Sequence, residues 1–385
     1  MRAGVTGVQC NMTLSSARIV ATYHVRCDAR AIAVRAEALA IEQSIELPRG
    51  AVREGLIVAE IAGRVEEITQ TSPEMFMVQV SLAASTMPPE AGQLMNILFG
   101  NTSLHDDVAL VDVAFPEGYA RAFGGPRRGL AGLRTAVGAG DRPLTASALK
   151  PQGLGTADLA QLAGAMARGG LDIVKDDHGL ADQAYSPFAA RVPACAAAVR
   201  QANRDTGRHT LYAPSLSGDL DRLRAQMKLV RAEGLGAVLV APMVIGLPAF
   251  TALVAETPDV VFLAHPSMAG AARIAPELLL GRLFRLLGAD AAIFPNYGGR
   301  FTYSIETCRR IAGAALATWT DGSTDIRPAA PAPAGGMTLD RVPELLDFYG
   351  RDAILLIGGS LLAAGDGLTA AAADFQRRVE RHGQA

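Results

Sequence analysis

The sequence predicts two domains of different classes, an N-terminal α+β domain of the ferredoxin-like type over residues 1–140 and a C-terminal (β/α)8 barrel over residues 141–385. Two observations lead to this prediction. From Leu144 onward, eight short apolar runs alternate with amphipathic helical stretches, and eight strand-helix repeats describe a (β/α)8 barrel. The first 140 residues instead combine longer strand-like runs with two helical stretches, which is typical of an α+β domain.

The N-terminal domain is predicted to contain three strands and two helices. In chain order these are the strand Arg18–Arg26, the helix Ala29–Gln43, the strand-like runs Leu56–Ile68 and Met75–Leu82, and the helix Pro88–Leu98. The connection to the barrel is expected in the Gly- and Arg-rich stretch Gly124–Asp141, where the apolar periodicity lapses.

The barrel prediction depends on the count of apolar runs. The predicted strands are Leu144–Lys150, Leu171–Lys175, His209–Pro214, Ala237–Met243, Val260–His265, Ala291–Asn296, Ile326–Ala334 and Ala353–Ile357. The helix-forming stretches between them include Ala157–Arg168, Pro187–Gln201, Leu220–Glu233, Pro276–Leu287, Ile305–Leu316 and Leu339–Tyr349. Several of these begin at Asp, Ser or Pro and end at Gly. The seventh run carries three prolines, which a central strand tolerates poorly.

Composition limits the class of protein. Half of the 385 residues are apolar, which is enough for a large core. The net charge is −2 with acidic and basic residues interspersed, so neither a nucleic acid nor a membrane surface is expected as a partner. The four cysteines are scattered without a CxxC pair, and the chain shows neither a signal-peptide pattern nor a membrane-spanning apolar run, so a cytoplasmic location is expected.

Polar residues follow several predicted strands at the end where barrels place their chemistry. They are Lys150 and Gln152 after the first strand, Lys175 and Asp177 after the second, His265 after the fifth and Asn296 after the sixth. Because strand side chains alternate with period two, Lys175 and Asp177 point the same way. Each residue alone also has a structural interpretation, since Lys150 can cap a helix and His265 can be a hydrogen-bonded core residue. Together they predict a pocket.

Two glycine turns predict a second kind of site. Gly335-Gly336 follows the seventh strand and Gly358-Gly359 follows the eighth. Turns at these two positions are the recurrent phosphate site of such barrels, because glycine lets backbone N–H groups approach the anion. A single Gly-Gly is most often just a tight turn, whereas two at the expected positions favour phosphate binding.

Several motifs, in this order and with barrel spacing, carry a family resemblance. They are Leu149–Gly155, Gly169–Asp177, Asp205–Gly207, His265–Met268 and the two glycine turns. In them the chain resembles the large-subunit family of ribulose-bisphosphate carboxylase, and more narrowly its non-carboxylating RuBisCO-like (form IV) branch.

The resemblance implies roles for the pocket residues. Lys175 looks like the lysine that CO2 carbamylates, and its carbamate with Asp177 and His178 would hold Mg²⁺. Lys150 looks like the base that moves a proton on a sugar phosphate, and His265 is a second proton carrier. In the N-terminal domain, Glu42 and Asn101 fall where the family's partner-subunit residues lie, although Asn96 is an alternative to Asn101. A homodimer, or a multiple of dimers, is therefore expected.

Departures from the carboxylase pattern narrow the expected chemistry. His178 replaces a metal carboxylate, and imidazole suits divalent ions softer than Mg²⁺. Gln152 replaces a lysine, and Pro266 and Ala334 replace residues of the second phosphate site. Arg300 is available for a phosphate or carboxylate but does not replace the lysine of the carboxylase lid. The expected substrate therefore carries one phosphate, and carbon fixation is not expected.

Three functions remain open at this point. The residues Lys175–Leu180 and Asn296–Phe301 look most like family members of the 3-oxo-isoapionate-4-phosphate decarboxylase and transcarboxylase type, so decarboxylation of a phosphorylated 3-oxo sugar acid is the first expectation. Such a reaction needs only a stabilised enolate as CO2 leaves. The alternatives are an isomerase or enolase of methylthioribulose-type phosphates, and a non-catalytic barrel that binds sugar phosphates.

Overall fold

The computed structural model describes residues 17–53, 55–301, 303–321 and 324–382. The chain divides into two compact units, Met1–Pro116 and Glu117–Ala385. The sequence suggested a boundary at 140/141, whereas the helix Gly129–Val137 lies with the second unit because its Leu130, Leu133 and Val137 share a buried cluster with the barrel strands.

The N-terminal unit is a four-stranded antiparallel sheet with two helices. Its elements are β1 (Arg18–Arg26), α1 (Ile32–Glu42), β2 (Arg64–Ser72), β3 (Met75–Ala83), α2 (Ala91–Phe99) and β4 (Val108–Ala114). The strand order β2-β3-β1-β4 and the βαββαβ sequence of elements are those of a ferredoxin-like domain. β1 lies in the centre, and its alternate residues Ile19, Ala21, Tyr23 and Val25 are fully buried.

Two details of this unit differ from the sequence prediction. The run Leu56–Ile68 is not one strand, because Ile57–Ile61 forms a π-helical turn and β2 begins only at Arg64. Almost every side chain of β2 is exposed at the edge of the sheet, so no apolar alternation marks it. The prediction also missed β4, the opposite edge strand.

The second unit confirms the barrel. Eight parallel strands follow the predicted order, namely β5 (Leu144–Leu149), β6 (Ile173–Asp176), β7 (Leu211–Ala213), β8 (Ala237–Val240), β9 (Val261–Ala264), β10 (Ala291–Pro295), β13 (Ala330–Ala334) and β14 (Ile354–Leu356). Two backbone hydrogen bonds of 2.9 Å, from Leu216 to Leu239 and from Leu239 to Pro214, bridge β7 to β8. Between β10 and β13, the short strands β11 (Thr320–Asp321) and β12 (Thr324–Asp325) pair as a hairpin.

Helices connect the strands. They are α3 (Gly129–Val137), α4 (Thr156–Arg168), α5 (Phe188–Thr206), α6 (Leu220–Ala232), α7 (Pro242–Ile245), α8 (Leu247–Glu256), α9 (Phe284–Leu286, after the π-helix Glu277–Leu283), α10 (Ile305–Leu316), α11 (Val342–Tyr349), α12 (Gly359–Leu362) and α13 (Leu368–His382). Among the described residues, no helix has both the length and the apolar run that crossing a membrane requires.

The seventh barrel strand, β13, accommodates its prolines because their nitrogens face the neighbouring strand with which β13 pairs least. Ala330 donates its N–H to Asp290 on the β10 side, so the alternate positions Pro331 and Pro333 face β14. The ladder between β13 and β14 is accordingly reduced to one pair, Ala334 with Leu356.

Candidate active site

The predicted pocket residues lie at the carboxyl end of the barrel strands. The inner face of the barrel is apolar below them, with Ala146 of β5, Ile173 of β6 and Leu263 of β9 in one buried cluster. Continuing the two-residue alternation of each strand brings Lys150, Lys175, Asp177 and His265 to the inner side above this cluster.

Asp177 is the centre of the group. Its Oδ1 lies 2.5 Å from Nζ of Lys150 and 3.4 Å from Nδ1 of His178. Burial on its own would raise the pKa of this carboxyl, but the hydrogen bonds from His178 and Lys150 and the charge of Lys175 hold its pKa well below its usual range. Asp177 is therefore a carboxylate that fixes the ammonium of Lys150.

Lys175 is the buried member of the group, with 3% of its surface exposed. Its Nζ donates to the backbone oxygen of Asp176 at 3.0 Å. Burial, aided by the positive charge of Lys150 and opposed by Asp177, lowers the pKa of Lys175 to about 8. At pH 7 roughly a tenth of Lys175 is thus a neutral amine, and this fraction rises to about half at pH 8. The side chain of Lys150, in contrast, is 37% exposed.

Lysine is rare in this chain. Of the 36 basic residues only three are lysines, at positions 150, 175 and 228. The first two meet at Asp177, and Lys228 lies exposed on α6. The amines are therefore concentrated at one place, while the rest of the surface uses arginine, which stays charged and does not serve as a base.

Two imidazoles stack beside Asp177. The rings of His178 and His265 have centroids 4.1 Å apart and an interplanar angle of 10°. Burial, with the positive charge of Lys175 and the neighbouring His178, lowers the pKa of His265 to about 2. His265 is consequently neutral at any pH at which the protein would work.

Asp176 faces the opposite side of β6 and has a different role. Its carboxylate, fully buried, accepts from Arg191 Nε at 3.1 Å, Tyr212 OH at 2.7 Å and Ser215 N at 3.0 Å. The alternation predicted from the sequence is observed, and Asp176 ties the strand end to α5 and β7.

Gln152 also reaches the group. A Cβ on Gly179 would collide with the side-chain amide of Gln152 and lie 3.5 Å from Oδ2 of Asp177. Glycine at 179 therefore leaves the space in which Gln152 sits beside Asp177.

The structure brings Arg300 to the first glycine turn but leaves its guanidinium exposed. Gly335 and Gly336 have φ values of 88° and 74°, and a Cβ on Gly336 would lie 2.8 Å from the backbone nitrogen of Arg300. Such a position requires glycine on both counts. The Arg300 guanidinium lies 5.0 Å from the centre of the Phe301 ring.

The second turn is open. Gly358 and Gly359 begin α12, and a Cβ on either would meet no atom within 4 Å. Bare backbone at this turn is what phosphate binding requires, although the contact itself stays a prediction.

Asn296, expected in the pocket, is instead part of the wall. It is fully buried, its Oδ1 accepts from Tyr349 OH at 2.6 Å and its Nδ2 donates to the backbone oxygen of Tyr297 at 2.9 Å. The expectation from strand-end position was wrong here, because the amide is used to hold the loop that follows β10.

In the N-terminal unit, Asn101 donates to Glu42, with 3.0 Å between Nδ2 and Oε1. Both lie at the surface of that unit, where Asn101 follows α2 and Glu42 ends α1. The two residues picked from the sequence are thus hydrogen-bonded to one another, while their part in an active site stays a prediction.

The donor set for a metal depends on Lys175. No three His, Cys, Asp or Glu side chains within the described ranges are grouped so as to hold a metal ion. Asp177 and His178 supply one oxygen and one nitrogen donor, and an oxygen from Lys175 exists only if its amine is carbamylated. The buried amine with its lowered pKa fits that modification, because only a neutral amine reacts with CO2.

Sequence reasoning missed two sets of residues at this rim. One is Ser267, which contacts the ring of His265, and the other is the cluster of Tyr297, Arg341 and Glu344 beside the β10 loop. Ser267 belongs to the motif His265–Met268, but the motif assigns it no role. A tyrosine and a glutamate 47 residues apart give no signal in the sequence.

Comparison with known proteins gives the family of the chain. The model of the ribulose bisphosphate carboxylase large chain catalytic domain matches residues 129–292. Ribulose bisphosphate carboxylase-like protein 1 of Rhodopseudomonas palustris is 57% identical over 369 residues, covering 96% of this chain and 99% of that protein. The 5-methylthioribulose-1-phosphate isomerase of Rhodospirillum rubrum is 53% identical over 363 residues, covering 94% and 96%.

A solved structure has the same fold as the chain. The crystal structure of a Rubisco-like protein from Rhodopseudomonas palustris matches with a TM-score of 0.89 at 53% identity, over 96% of this chain and 100% of that one. From the barrel, the site and these relatives, the chain belongs to the RuBisCO large-chain superfamily, in its RuBisCO-like (form IV) branch, and is not one of the carboxylases.

Proposed function

We propose that the protein is an isomerase of a monophosphorylated ketose of the 5-methylthioribulose 1-phosphate type and works through an enediolate. The observation that carries this proposal is the pair of lysines at Asp177, in a chain that is 53% identical over 363 residues to a protein named as an isomerase of that substrate. The first expectation, decarboxylation of a phosphorylated 3-oxo sugar acid, finds no such support among the relatives. The isomerase alternative is the better supported one.

The chemistry needs a base and a donor on opposite sides of one carbonyl. An amine removes a proton from the carbon beside the carbonyl, the C–H electron pair shifts into the new carbon–carbon double bond, and the carbonyl oxygen gains negative charge. In this scheme Lys150 and His265, which lie close to Asp177 and to His178, would donate hydrogen bonds to that oxygen. Return of the proton at another carbon completes an isomerisation with no loss of atoms.

Lys175 has two uses in this scheme that exclude each other. As a free amine with a pKa of about 8 it is a suitable base. As a carbamate it is a ligand, and Lys150, which the resemblance assigns as the base, moves the proton. In the second case the carbamate, Asp177 and His178 would hold a divalent ion, which would stabilise the enediolate as a Lewis acid.

The phosphate of the substrate would lie at the glycine turns. Backbone N–H groups of Gly335-Gly336 and of Gly358-Gly359 suit an anion, and the guanidinium of Arg300 adds a positive charge at the first turn.

The test of the proposal is turnover of 5-methylthioribulose 1-phosphate, followed by ³¹P and ¹H NMR. We expect a new pentulose phosphate without release of CO2, and loss of this activity in Lys150→Ala and in Lys175→Ala. Lys228→Ala, the third lysine of the chain and exposed on α6, is the matched control and retains full activity.

Other outcomes identify the alternatives. Release of CO2 from a phosphorylated 3-oxo sugar acid, with no isomerisation, would establish the decarboxylase. Binding of sugar phosphates without turnover of any of them would establish a non-catalytic barrel.

The two uses of Lys175 are separated by ¹³C NMR under ¹³CO2. A carbamate signal that is absent from Lys175→Ala, together with loss of activity on adding a chelator, supports the role of Lys175 as a carbamylated metal ligand. If activity changes with neither CO2 nor a chelator and no carbamate signal is seen, Lys175 acts as a base with a free amine.

A further inference from the structure

Ser267 contacts one nitrogen of His265 in two ways. Its backbone nitrogen lies 3.2 Å from Nδ1, and its hydroxyl oxygen lies 2.8 Å from the same atom. The segment that follows β9 turns back sharply, since the next residue, Met268, has a φ of 66°, and this turn holds the serine against the ring.

These contacts fix which nitrogen carries the proton. A backbone N–H only donates, so Nδ1 of His265 must offer its lone pair to Ser267. A neutral imidazole has one N–H, which is therefore on Nε2, and the serine hydroxyl also donates to Nδ1. The tautomer follows from the hydrogen-bonding partners, as it does for any histidine whose hydrogens are not seen.

The rest of the ring is enclosed on one side. His178 covers one face of His265 at 4.1 Å, and Ser267 occupies the Nδ1 edge. Within the described part of the chain, Nε2 of His265 makes no hydrogen bond. Its N–H is the polar group of this ring that is left for a substrate.

We propose that Ser267 is a positioning residue that holds His265 as an Nε2–H donor to the oxygen of the enediolate. This inference rests on the proposed isomerase and gives His265 a definite part in it. A ring held in this form has no lone pair on the nitrogen that meets the substrate, so His265 does not remove the C–H proton. His265, which the sequence analysis expected to carry a proton, instead donates a hydrogen bond from a fixed position. The lysines then transfer the proton.

Three replacements of the histidine separate a donor from a base. His265→Gln places an amide N–H about where Nε2–H was, whereas His265→Asn places one nearer to Nδ1. We expect His265→Ala to lower kcat on the order of 10²–10³-fold, the effect of losing one such donor, and His265→Gln to recover a large part of that loss. Equal inactivity of His265→Gln and His265→Ala would overturn the donor role.

Replacements of the serine test the positioning. Ser267→Ala keeps the backbone N–H and loses the hydroxyl, so we expect kcat to fall on the order of tenfold with little change in KM. Ser267→Thr restores the hydroxyl and should restore kcat. Full activity in Ser267→Ala would contradict the role of the hydroxyl.

The tautomer itself is measured without any turnover. In protein labelled with ¹⁵N-histidine, the signals that vanish in His265→Gln belong to His265, and we expect a bonded proton on Nε2 and none on Nδ1. A proton on Nδ1 in the wild type would overturn the proposal. Because this spectrum needs no substrate, failure of the isomerase assay alone would refute the proposed function and leave the tautomer result standing.

Discussion

Asp176 and Asp177 are neighbours in the chain, yet they face opposite sides of β6 and meet opposite surroundings. Asp177 faces two lysines and a histidine at the pocket, whereas Asp176 is enclosed with Arg191, Tyr212 and Ser215. The alternation of the strand predicted that Asp177 lies on the same side as Lys175. It could not show that Asp176 has an arginine partner 15 residues away.

Breaking the buried pair of Arg191 and Asp176 should destabilise the protein strongly. Replacing Arg191 by Met leaves a fully buried carboxylate without its cation, so we expect the free energy of unfolding to fall by about 3–5 kcal/mol. Denaturation in urea measures this. Arg224→Met, which breaks an exposed pair with Glu256, is the control and should leave the unfolding midpoint almost unchanged. Equal effects of the two would contradict the role of burial.

The pH dependence of activity reports the state of Lys175. If its free amine is the base, kcat/KM rises with pH through about 8 and then levels, since protonated lysine below that pH cannot accept a proton. Measuring kcat/KM from about pH 6 to about pH 10 shows whether this rise occurs. A flat profile across pH 8 would show that Lys175 is not titrating as a free amine.

Residues 296–300, which follow β10, make contacts with two neighbouring parts of the barrel. Tyr297 donates to Glu344 at 2.8 Å, and Arg341 binds the same carboxylate through Nε at 3.0 Å and Nη2 at 2.8 Å. Tyr349 holds the buried Asn296 at the end of β10, and the turn Gly335-Gly336 lies against Gly299 and Arg300. According to the resemblance, the corresponding loop of the carboxylases is a mobile lid, whereas here these contacts connect its described part to α11 and to the first glycine turn.

Removing the carboxylate that joins these groups should free the loop. In Glu344→Ala we expect faster amide hydrogen exchange over residues 297–301, because three hydrogen bonds from Tyr297 and Arg341 are lost beside the segment that carries Arg300. We also expect a KM several-fold higher with a smaller change in kcat. Hydrogen exchange with mass spectrometry and steady-state kinetics measure the two effects.

The control for the loop is Glu256→Ala, which removes the carboxylate of an exposed arginine pair on α8. It should change neither the exchange of 297–301 nor KM. Unchanged exchange in Glu344→Ala would mean that the loop is held by other contacts.

Helices and strands could be predicted where their burial requires a regular pattern of apolar residues. All eight barrel strands are buried apolar runs, and each was found within a few residues of its observed ends. The edge strand β2 was misplaced because its side chains are almost all exposed. The helix α3 was missed because glycines interrupt its apolar residues, and Asn296 was misassigned because its partner Tyr349 is distant in the chain.

At the scale of the whole molecule, the resemblance predicts a dimer in which each N-terminal domain serves its partner's site. Glu42 and Asn101 are hydrogen-bonded at the surface of that domain. If the prediction holds, mixing Glu42→Gln protein with Lys150→Ala protein, after dissociation and reassembly, restores activity that neither variant has alone. The mixed dimer then contains one site with both residues intact.

The measurement is kcat per site after reassembly, with each variant reassembled alone as the control. Recovery no greater than the sum of the two separate variants would show that Glu42 does not act across subunits. Molecular mass in solution, measured on the same samples, establishes whether dimers form at all.

Because lysine is scarce in this protein, isotope labelling of lysine gives a very simple NMR spectrum. A protein grown with ¹³C-labelled lysine side chains contains three labelled residues, one of them exposed on α6 and two at Asp177. The spectrum of the labelled protein then consists of the two amines of the proposed active site and one exposed lysine, which serves as an internal standard. Substrate binding, metal loading and protonation can each be followed there, without assigning any other signal.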